Sequence, residues 1–195
     1  MVYLKVILGC MFSSKTSTLL SEINRYKHIT DKILVVNSVL DKERQSNNSD
    51  SIIESHDLKH APAVIVSELY DLKKYYYHKQ KYDYAEIIII DEGQFYSDLY
   101  IFIREELFSQ TNKKMFIVAG LSGDYNMEPI GDMIKLIPMA DEILKLSAYC
   151  IYCKDGTLAH FTSKLSNDTK QILVGKNDLY SPCCRSHYLT FLKNK

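Results

Sequence analysis

Eight consecutive residues near the start of the chain have the types and order that bind nucleotide phosphates. They are Gly9, Cys10, Met11, Phe12, Ser13, Ser14, Lys15 and Thr16. In such loops, backbone N–H groups at the start of a helix converge on the phosphates. The lysine reaches the β- and γ-phosphates, and the Ser/Thr hydroxyl binds Mg²⁺. We therefore predict a phosphate-binding loop, with an ordinary strand-to-helix turn as the alternative.

Ser14 departs from the phosphate-loop pattern, which has glycine at this position. Glycine adopts a left-handed backbone at no steric cost. If the loop requires that conformation, a serine is strained by about 1–2 kcal/mol. A strain of this size corresponds to roughly a tenfold change in nucleotide affinity, so binding is weakened and not abolished.

Two carboxylates, Asp91 and Glu92, directly follow the most apolar segment of the chain, residues 86–90. An acidic residue at the end of a buried strand is the expected Mg²⁺ partner of a phosphate loop. Ligands of open α/β sheets bind at this same edge. The alternative is a solvent-exposed pair, but the preceding run of isoleucines places these carboxylates at the mouth of the sheet.

The tail contains two closely spaced pairs of potential metal ligands, Cys150 with Cys153 and Cys184 with His187. Cys-x2-Cys followed by Cys-x2-His is a spacing typical of tetrahedral structural zinc sites. Cys183 is the competing ligand, but the two-residue gap to His187 favours Cys184. The alternative is a set of unrelated thiols and an exposed histidine. Zinc would stabilise a tail that is too short to form its own core.

Hydrophobic patterns predict strands that alternate with helices. The predicted strands are residues 3–8, 33–36, 63–66, 86–90, 115–119 and 142–146. The predicted helices are residues 15–27, 67–76 with Ser67 as N-cap, 98–107 and 131–137. Residues 37–60 are polar and without a hydrophobic period, so we predict a mobile loop there. This order indicates an α/β fold of the P-loop (RecA-like) type, a mostly parallel sheet with helices on both faces.

Length and composition are compatible with one full domain of 195 residues that carries a small appendage. We predict a P-loop domain over residues 1–147 and a small zinc-binding domain, here called the lasso, over residues 148–195. The formal net charge is zero, so no overall field attracts nucleic acid or acidic membranes. No segment approaches the length that spans a bilayer, and no signal peptide is recognisable. We therefore expect a cytoplasmic protein without disulfides.

Taken together, these motifs resemble the type II thymidine kinases, the cellular and viral group with a zinc-stapled lasso. The resemblance covers nearly the whole chain. Its residues are Gly9, Met11, Phe12, Ser13, Lys15, Thr16, Asp91, Glu92, Gly93, Gln94, Phe95, Cys150, Cys153, Val174, Gly175, Asp178, Tyr180, Cys184, Arg185 and His187. The chain departs from the family at Cys10, Ser14, Tyr125 and Lys176, and in residues 41–44, which are one residue longer than the family's Asp-x-Arg.

The resemblance implies transfer of the γ-phosphate of ATP to the 5′-hydroxyl of thymidine, with Mg²⁺. Glu92 would be the general base, and Thr16 and Asp91 would hold Mg²⁺. The implied ATP and phosphate contacts are Gly9, Cys10, Met11, Phe12, Ser13, Ser14, Lys15, Thr16, Asp41, Arg44, Asp91 and Gln94. Phosphoryl transfer needs positioning, charge neutralisation and one oriented base, and these residue types provide all three.

The resemblance also implies a nucleoside pocket. Phe95 and Tyr125 would flank the thymine ring, and Met11 and Leu121 would line the pocket. The lasso would read the base edge largely through backbone groups, with a threonine nearby and a tyrosine closing over the sugar. These lasso residues are Thr162, Gln171, Ile172, Leu173, Val174, Gly175 and Tyr180. Backbone recognition in a buried slot rejects analogues, because it leaves polar groups unpaired.

We therefore predict a thymidine kinase that forms a homotetramer and is inhibited by thymidine triphosphate. Three alternatives stay open: a deoxynucleoside kinase with another base preference, a nucleotide-binding protein of low turnover, and a zinc-ribbon nucleic-acid-binding module fused to a P-loop ATPase. The last has little support, since the tail carries no basic stripe with interleaved aromatic residues.

Overall fold

The computed structural model describes residues 2–44, 51–55, 59–111, 113–165 and 179–193. The strands are β1 (Tyr3–Gly9), β2 (Ile33–Ser38), β3 (Ile52–Glu54), β4 (His60–Pro62), β5 (Val64–Val66), β6 (Ile87–Ile90), β7 (Met115–Leu121), β8 (Glu142–Leu146), β9 (Ala148–Tyr149), β10 (Leu158–Ala159), β11 (Phe161–Lys164) and β12 (Tyr180–Cys183). The helices are α1 (Lys15–Lys27), α2 (Val39–Arg44), α3 (Asp71–Lys74), α4 (Tyr76–Tyr84), α5 (Leu99–Phe108) and α6 (Arg185–Lys193).

A six-stranded sheet with the order β5-β2-β6-β7-β1-β8 forms the centre of the molecule. All its neighbouring strands are parallel. Parallel strands covered on both faces read as continuous apolar runs, and β6 is the clearest case because Ile87–Ile90 are all buried. The sheet confirms the predicted α/β fold of the P-loop type.

Helices cover both faces of this sheet because successive residues of a strand point to opposite sides. Ile88 and Ile90 of β6 belong to the core cluster that contains Phe102 of α5. Ile87 and Ile89 belong to the cluster on the other face, which contains Leu19, Leu20 and Ile23 of α1. Helix α1 therefore holds the phosphate loop against one face, while α5 supports the strand that ends in the two carboxylates.

The prediction of a loop over residues 37–60 is wrong for the described part of that segment. Strand β2 continues through Ser38, helix α2 follows, and β3 and β4 pair in antiparallel fashion. Asn37 is fully buried, and its Nδ2 donates to Asp41 Oδ2 (2.9 Å) and to the Ile52 carbonyl (3.3 Å). Polar residues that satisfy one another in the interior leave no hydrophobic period to detect.

Two predicted helices have different limits in the structure. The helix predicted from Ser67 begins at Asp71, and Ser67 is not its N-cap. It breaks at Tyr75, whose backbone is extended (φ −91°, ψ 129°), so that α3 and α4 are separate. The helix predicted over residues 131–137 is a 3₁₀ helix, Met133–Met139, which contains Pro138.

The lasso consists of two small antiparallel pairs, β9 with β10 and β11 with β12, followed by α6. Tyr188 of α6 donates its hydroxyl to the backbone carbonyl of Tyr125 (2.9 Å), which joins the lasso to the loop that follows β7. None of the helices in the described ranges is both long enough and apolar enough to cross a bilayer.

Candidate active site

The predicted phosphate loop connects β1 to α1 as a compact turn. The backbone carbonyl of Cys10 accepts hydrogen bonds from Ser13 Oγ (2.8 Å) and from Lys15 Nζ (2.9 Å). The lysine ammonium thus lies over the loop, where anions bind at the start of α1.

Ser14 adopts the left-handed conformation that its position in the loop predicts for glycine, with φ 62° and ψ 30°. Its side chain makes no capping hydrogen bond to α1. The serine therefore carries a backbone cost without a compensating cap. Phe12, two residues earlier, also has a positive φ of 64°.

Replacing Ser14 by glycine is expected to raise the free energy of unfolding by about 1 kcal/mol, because glycine removes the left-handed strain. Urea unfolding of both forms measures this difference. Ser109→Gly is the matched control, since Ser109 has an ordinary φ of −70°. The control is expected to leave stability unchanged or to lower it. A Ser14→Gly protein no more stable than the wild type would contradict the strain.

The two carboxylates at the end of β6 lie beside the phosphate loop, as predicted. Thr16 Oγ1 donates to Asp91 Oδ2 (2.9 Å), and Asp91 Oδ1 accepts from the backbone N–H of Glu92 (2.9 Å). Burial, together with the carboxylates of Glu92 and Asp41, raises the pKa of Asp91 to about 7, although the bond from Thr16 lowers it. The buried carboxyl groups of Asp91, Glu92 and Asp41 together produce a strongly negative electrostatic potential at this site.

These residues fit a Mg²⁺ ion. The Thr16 hydroxyl and the Asp91 carboxylate are hard oxygen donors of the kind that Mg²⁺ prefers, and their hydrogen bond holds them side by side. A divalent cation would also neutralise the charge that Asp41 and Glu92 add at this place.

Glu92 is held by a residue whose position the sequence did not predict. Gln94 donates from Nε2 to the Glu92 carboxylate, and its Oε1 accepts from the backbone N–H of Leu121 (3.0 Å). Glu92 itself has a left-handed backbone, with φ 50°. The amide of Gln94 thus fixes the direction of the Glu92 side chain relative to β7.

Two glycines make room for Gln94. A Cβ atom at Gly120 would lie 2.7 Å from Gln94 Oε1, and one at Gly131 would lie 2.4 Å from the Gln94 carbonyl. Gly131 also has a positive φ of 54°. In the sequence, Gly120 and Gly131 are recognisable only as glycines at a strand end and in a loop. Neither position indicates that Gln94 is the residue that needs the space.

The described members of the predicted nucleoside pocket come from four places. They are the phosphate loop (Met11), the 3₁₀ turn after β6 (Phe95), the end of β7 with the loop that follows it (Leu121, Tyr125), and the lasso (Thr162, Tyr180). Tyr125 is 8% exposed and Phe95 is half-buried. Thr162 Oγ1 accepts from the backbone N–H of Met11 (3.1 Å), so the lasso contacts the phosphate loop directly. Gln171, Ile172, Leu173, Val174 and Gly175 lie outside the described residues. Arg44 ends helix α2, and its side chain is likewise outside the description.

The four predicted zinc ligands come together in the lasso, and the structure selects Cys184 over Cys183. The donor atoms of Cys150, Cys153, Cys184 and His187 all lie within 4.8 Å of one another. Cys183 instead points at the carbonyl of Phe161 (3.7 Å). The cluster thus contains the four residues that the spacing indicated.

The cluster has the dimensions of a tetrahedral zinc site. Zinc bonds of 2.3 Å to sulfur and 2.0–2.1 Å to nitrogen imply donor separations of about 3.8 Å (S to S) and 3.6 Å (S to N). Cys153 Sγ lies 3.7 Å from Cys184 Sγ, and the three sulfurs lie 3.3–3.6 Å from His187 Nδ1. Hydrogen bonds from the backbone and side chain of His187 lower the pKa of the Cys184 thiol, which favours the thiolate that metals bind.

Comparison with known proteins identifies the family. A family model described as thymidine kinase matches residues 2–188. The chain belongs to the thymidine kinase family. The thymidine kinase of Oryza sativa subsp. japonica is 35% identical over 186 residues, which are 94% of this chain and 65% of that protein. Thymidine kinase a of Arabidopsis thaliana is 35% identical over 185 residues, 95% of this chain and 74% of the relative.

Viral members of the thymidine kinase family have nearly the same length as this chain. The thymidine kinase of Choristoneura fumiferana entomopoxvirus is 35% identical over 191 residues, 95% of both chains. The range matched by the family model includes both the phosphate loop and the Cys/His cluster. The predicted family is confirmed.

Proposed function

We propose that this chain transfers the γ-phosphate of ATP to the 5′-hydroxyl of thymidine and produces thymidine monophosphate. The observation that carries the proposal is the 2.9 Å contact between Thr16 of the phosphate loop and Asp91, directly before Glu92. This contact brings a phosphate-binding group, a metal-binding group and a base to one place. Membership of the thymidine kinase family supports thymidine as the acceptor.

In the proposed mechanism, the phosphate loop binds the triphosphate of ATP through its backbone N–H groups, and Lys15 contacts the β- and γ-phosphates. Thr16 and Asp91 would hold Mg²⁺, which would neutralise phosphate charge. Asp41, buried near this site, adds to the acidic field that retains the ion.

Glu92 takes the proton of the thymidine 5′-hydroxyl as the 5′-oxygen forms its bond to the γ-phosphorus. The bond from that phosphorus to the bridging oxygen of ATP breaks, and ADP leaves with the oxygen. We assign Gln94 to the positioning of Glu92, on the evidence of its two hydrogen bonds. The predicted phosphate contact of Gln94 stays a prediction beside this role in positioning Glu92.

We assign thymidine to the space between the loop after β7, the phosphate loop and the lasso. Phe95 and Tyr125 would flank the thymine ring, while Met11 and Leu121 line the pocket. Thr162 would hold the lasso against the phosphate loop, on the evidence of its bond to the Met11 N–H. Tyr180 would close over the sugar. The division at residues 147 and 148, the homotetramer, the cytoplasmic location and inhibition by thymidine triphosphate stay predictions.

Phosphate transfer from labelled ATP with Mg²⁺ to each of the four deoxynucleosides tests the proposal. We expect thymidine to be the preferred acceptor. Preference for another deoxynucleoside would replace thymidine in the proposal while keeping the chemistry. Absence of transfer to all four, with ATP still bound, would contradict the kinase assignment and leave a nucleotide-binding protein.

A further inference from the structure

Lys164 of the lasso is buried against Tyr125, one of the aromatic residues of the proposed nucleoside pocket. Lys164 is 9% exposed, and its Nζ lies 4.4 Å from the centroid of the Tyr125 ring. Lysine is rarely buried, because removing an ammonium from water is costly unless it gains other interactions. The face of an aromatic ring is such a partner, and its attraction for a cation increases when both are removed from water.

The position of Lys164 on β11 directs its side chain toward the site. Thr162 and Lys164 lie two residues apart on one strand, so they share a face. Thr162 on that face bonds the phosphate loop, whereas Ser163 on the opposite face donates to the Ser181 carbonyl (3.1 Å). Lys164 is also directly opposite Tyr180 in the pairing of β11 with β12.

Tyr125 is held on its backbone side as well. Its carbonyl accepts the Tyr188 hydroxyl of α6, while its ring lies under the Lys164 ammonium. The lasso therefore contacts Tyr125 at two points: Tyr188 bonds its main-chain carbonyl, and Lys164 contacts its ring. The hydroxyl bond fixes where the residue lies, and the ammonium fixes how the ring is turned.

We propose that Lys164 is a positioning residue for nucleoside binding: it holds the Tyr125 ring in the orientation that stacks on the base. The inference rests on the proposed function, since it takes Tyr125 as a base-stacking residue. The ammonium contacts the Tyr125 ring itself, so it acts on how the ring is turned. A fixed ring lowers the entropy lost when thymidine binds, so Lys164 acts on nucleoside affinity and not on phosphate transfer.

Lys164→Met tests this role, because it removes the charge and keeps most of the side-chain volume. We expect the KM for thymidine to rise roughly 3- to 10-fold, which corresponds to the cost of ordering one side chain on binding. The kcat and the KM for ATP should stay within about twofold. Lys164→Arg should restore most of the affinity, since a guanidinium also stacks on aromatic rings. An unchanged KM for thymidine, or a loss confined to kcat, would overturn the inference.

Lys81→Met is a matched control, because Lys81 Nζ lies at the same distance, 4.4 Å, from the Tyr77 ring on the exposed surface of α4. It should leave both KM values unchanged. In a Tyr125→Leu background, Lys164→Met should have little further effect, because its partner ring is gone. Full additivity of the two changes would contradict coupling through Tyr125. Zinc content and thermal stability establish that each variant is folded.

Calorimetric titration with thymidine, without ATP, separates this inference from the proposed kinase activity. If the wild type binds thymidine but transfers no phosphate, the proposed function fails, while the affinity of Lys164→Met still tests the role of the lysine. If the wild type is active and Lys164→Met binds thymidine equally well, only the positioning role is refuted.

Discussion

Glu92→Gln is expected to lower the kcat for thymidine phosphorylation by about 10²- to 10⁴-fold, the contribution typical of a positioned general base. Glutamine keeps the shape of the side chain but cannot take the proton of the 5′-hydroxyl. The KM values should change little, because neither the phosphate loop nor the base-stacking residues are altered. Steady-state rates with thymidine and ATP varied separately measure the effect.

Glu86→Gln provides the matched control for that variant. Glu86 directly precedes β6, whereas Glu92 follows the other end of the strand. The exposed carboxylate of Glu86 forms an ion pair with Lys32 (2.6 Å). Exposed ion pairs contribute little to stability, so this variant should behave as the wild type. If Glu92→Gln keeps about a tenth or more of the wild-type kcat, Glu92 is not the general base.

Cys153→Ser is expected to reduce bound zinc from about one ion per chain to a small fraction, because serine cannot replace a thiolate in a tetrahedral site. The site joins the β9–β10 end of the lasso to α6, and α6 carries Tyr188, which bonds Tyr125. Loss of zinc should therefore lower thermal stability and raise the KM for thymidine by about tenfold or more. Metal analysis and steady-state kinetics measure these two effects.

Cys183→Ala is the control for the zinc site. Cys183 is also a buried thiol of the lasso, but it lies outside the cluster and contacts the Phe161 carbonyl. Its replacement should keep zinc and the KM for thymidine, although removal of a buried side chain can lower stability. Zinc retained by Cys153→Ser and lost by Cys183→Ala would show that the ligand set is wrong.

The parallel sheet and the phosphate loop could be predicted because their signals are local. Strands such as Ile87–Ile90 are continuous apolar runs, and the loop is a single segment between β1 and α1. The left-handed backbone of Ser14 also follows from its place in the loop pattern. The spacing of the lasso ligands was enough to choose Cys184 over Cys183, because two intervening residues allow both ligands to reach one ion.

Segments stabilised by distant partners were predicted poorly. The described part of residues 37–60 has regular structure because Asn37 bonds Asp41 and the Ile52 carbonyl in the interior. The helix after β5 begins at Asp71 and not after Ser67. Just before it, the backbone N–H of Tyr70 donates to the carboxylate of Asp98 (2.9 Å), which lies at the start of helix α5. Neither contact leaves a periodic signal in the sequence.

The sequence by itself determined the fold class, the strand–loop–helix segment of the phosphate loop, the acidic pair at the end of β6 and the Cys/His cluster, since each depends on residue types at fixed short spacings. Only the tertiary structure decided which groups orient the reactive ones. Gln94 holds Glu92 while its amide oxygen accepts from the Leu121 N–H, and Lys164 reaches the Tyr125 ring. The contacts of Gln94 with Leu121 and of Lys164 with Tyr125 join elements that are far apart in the chain. Such contacts depend on how strands and loops pack, and residue spacing does not encode that packing directly.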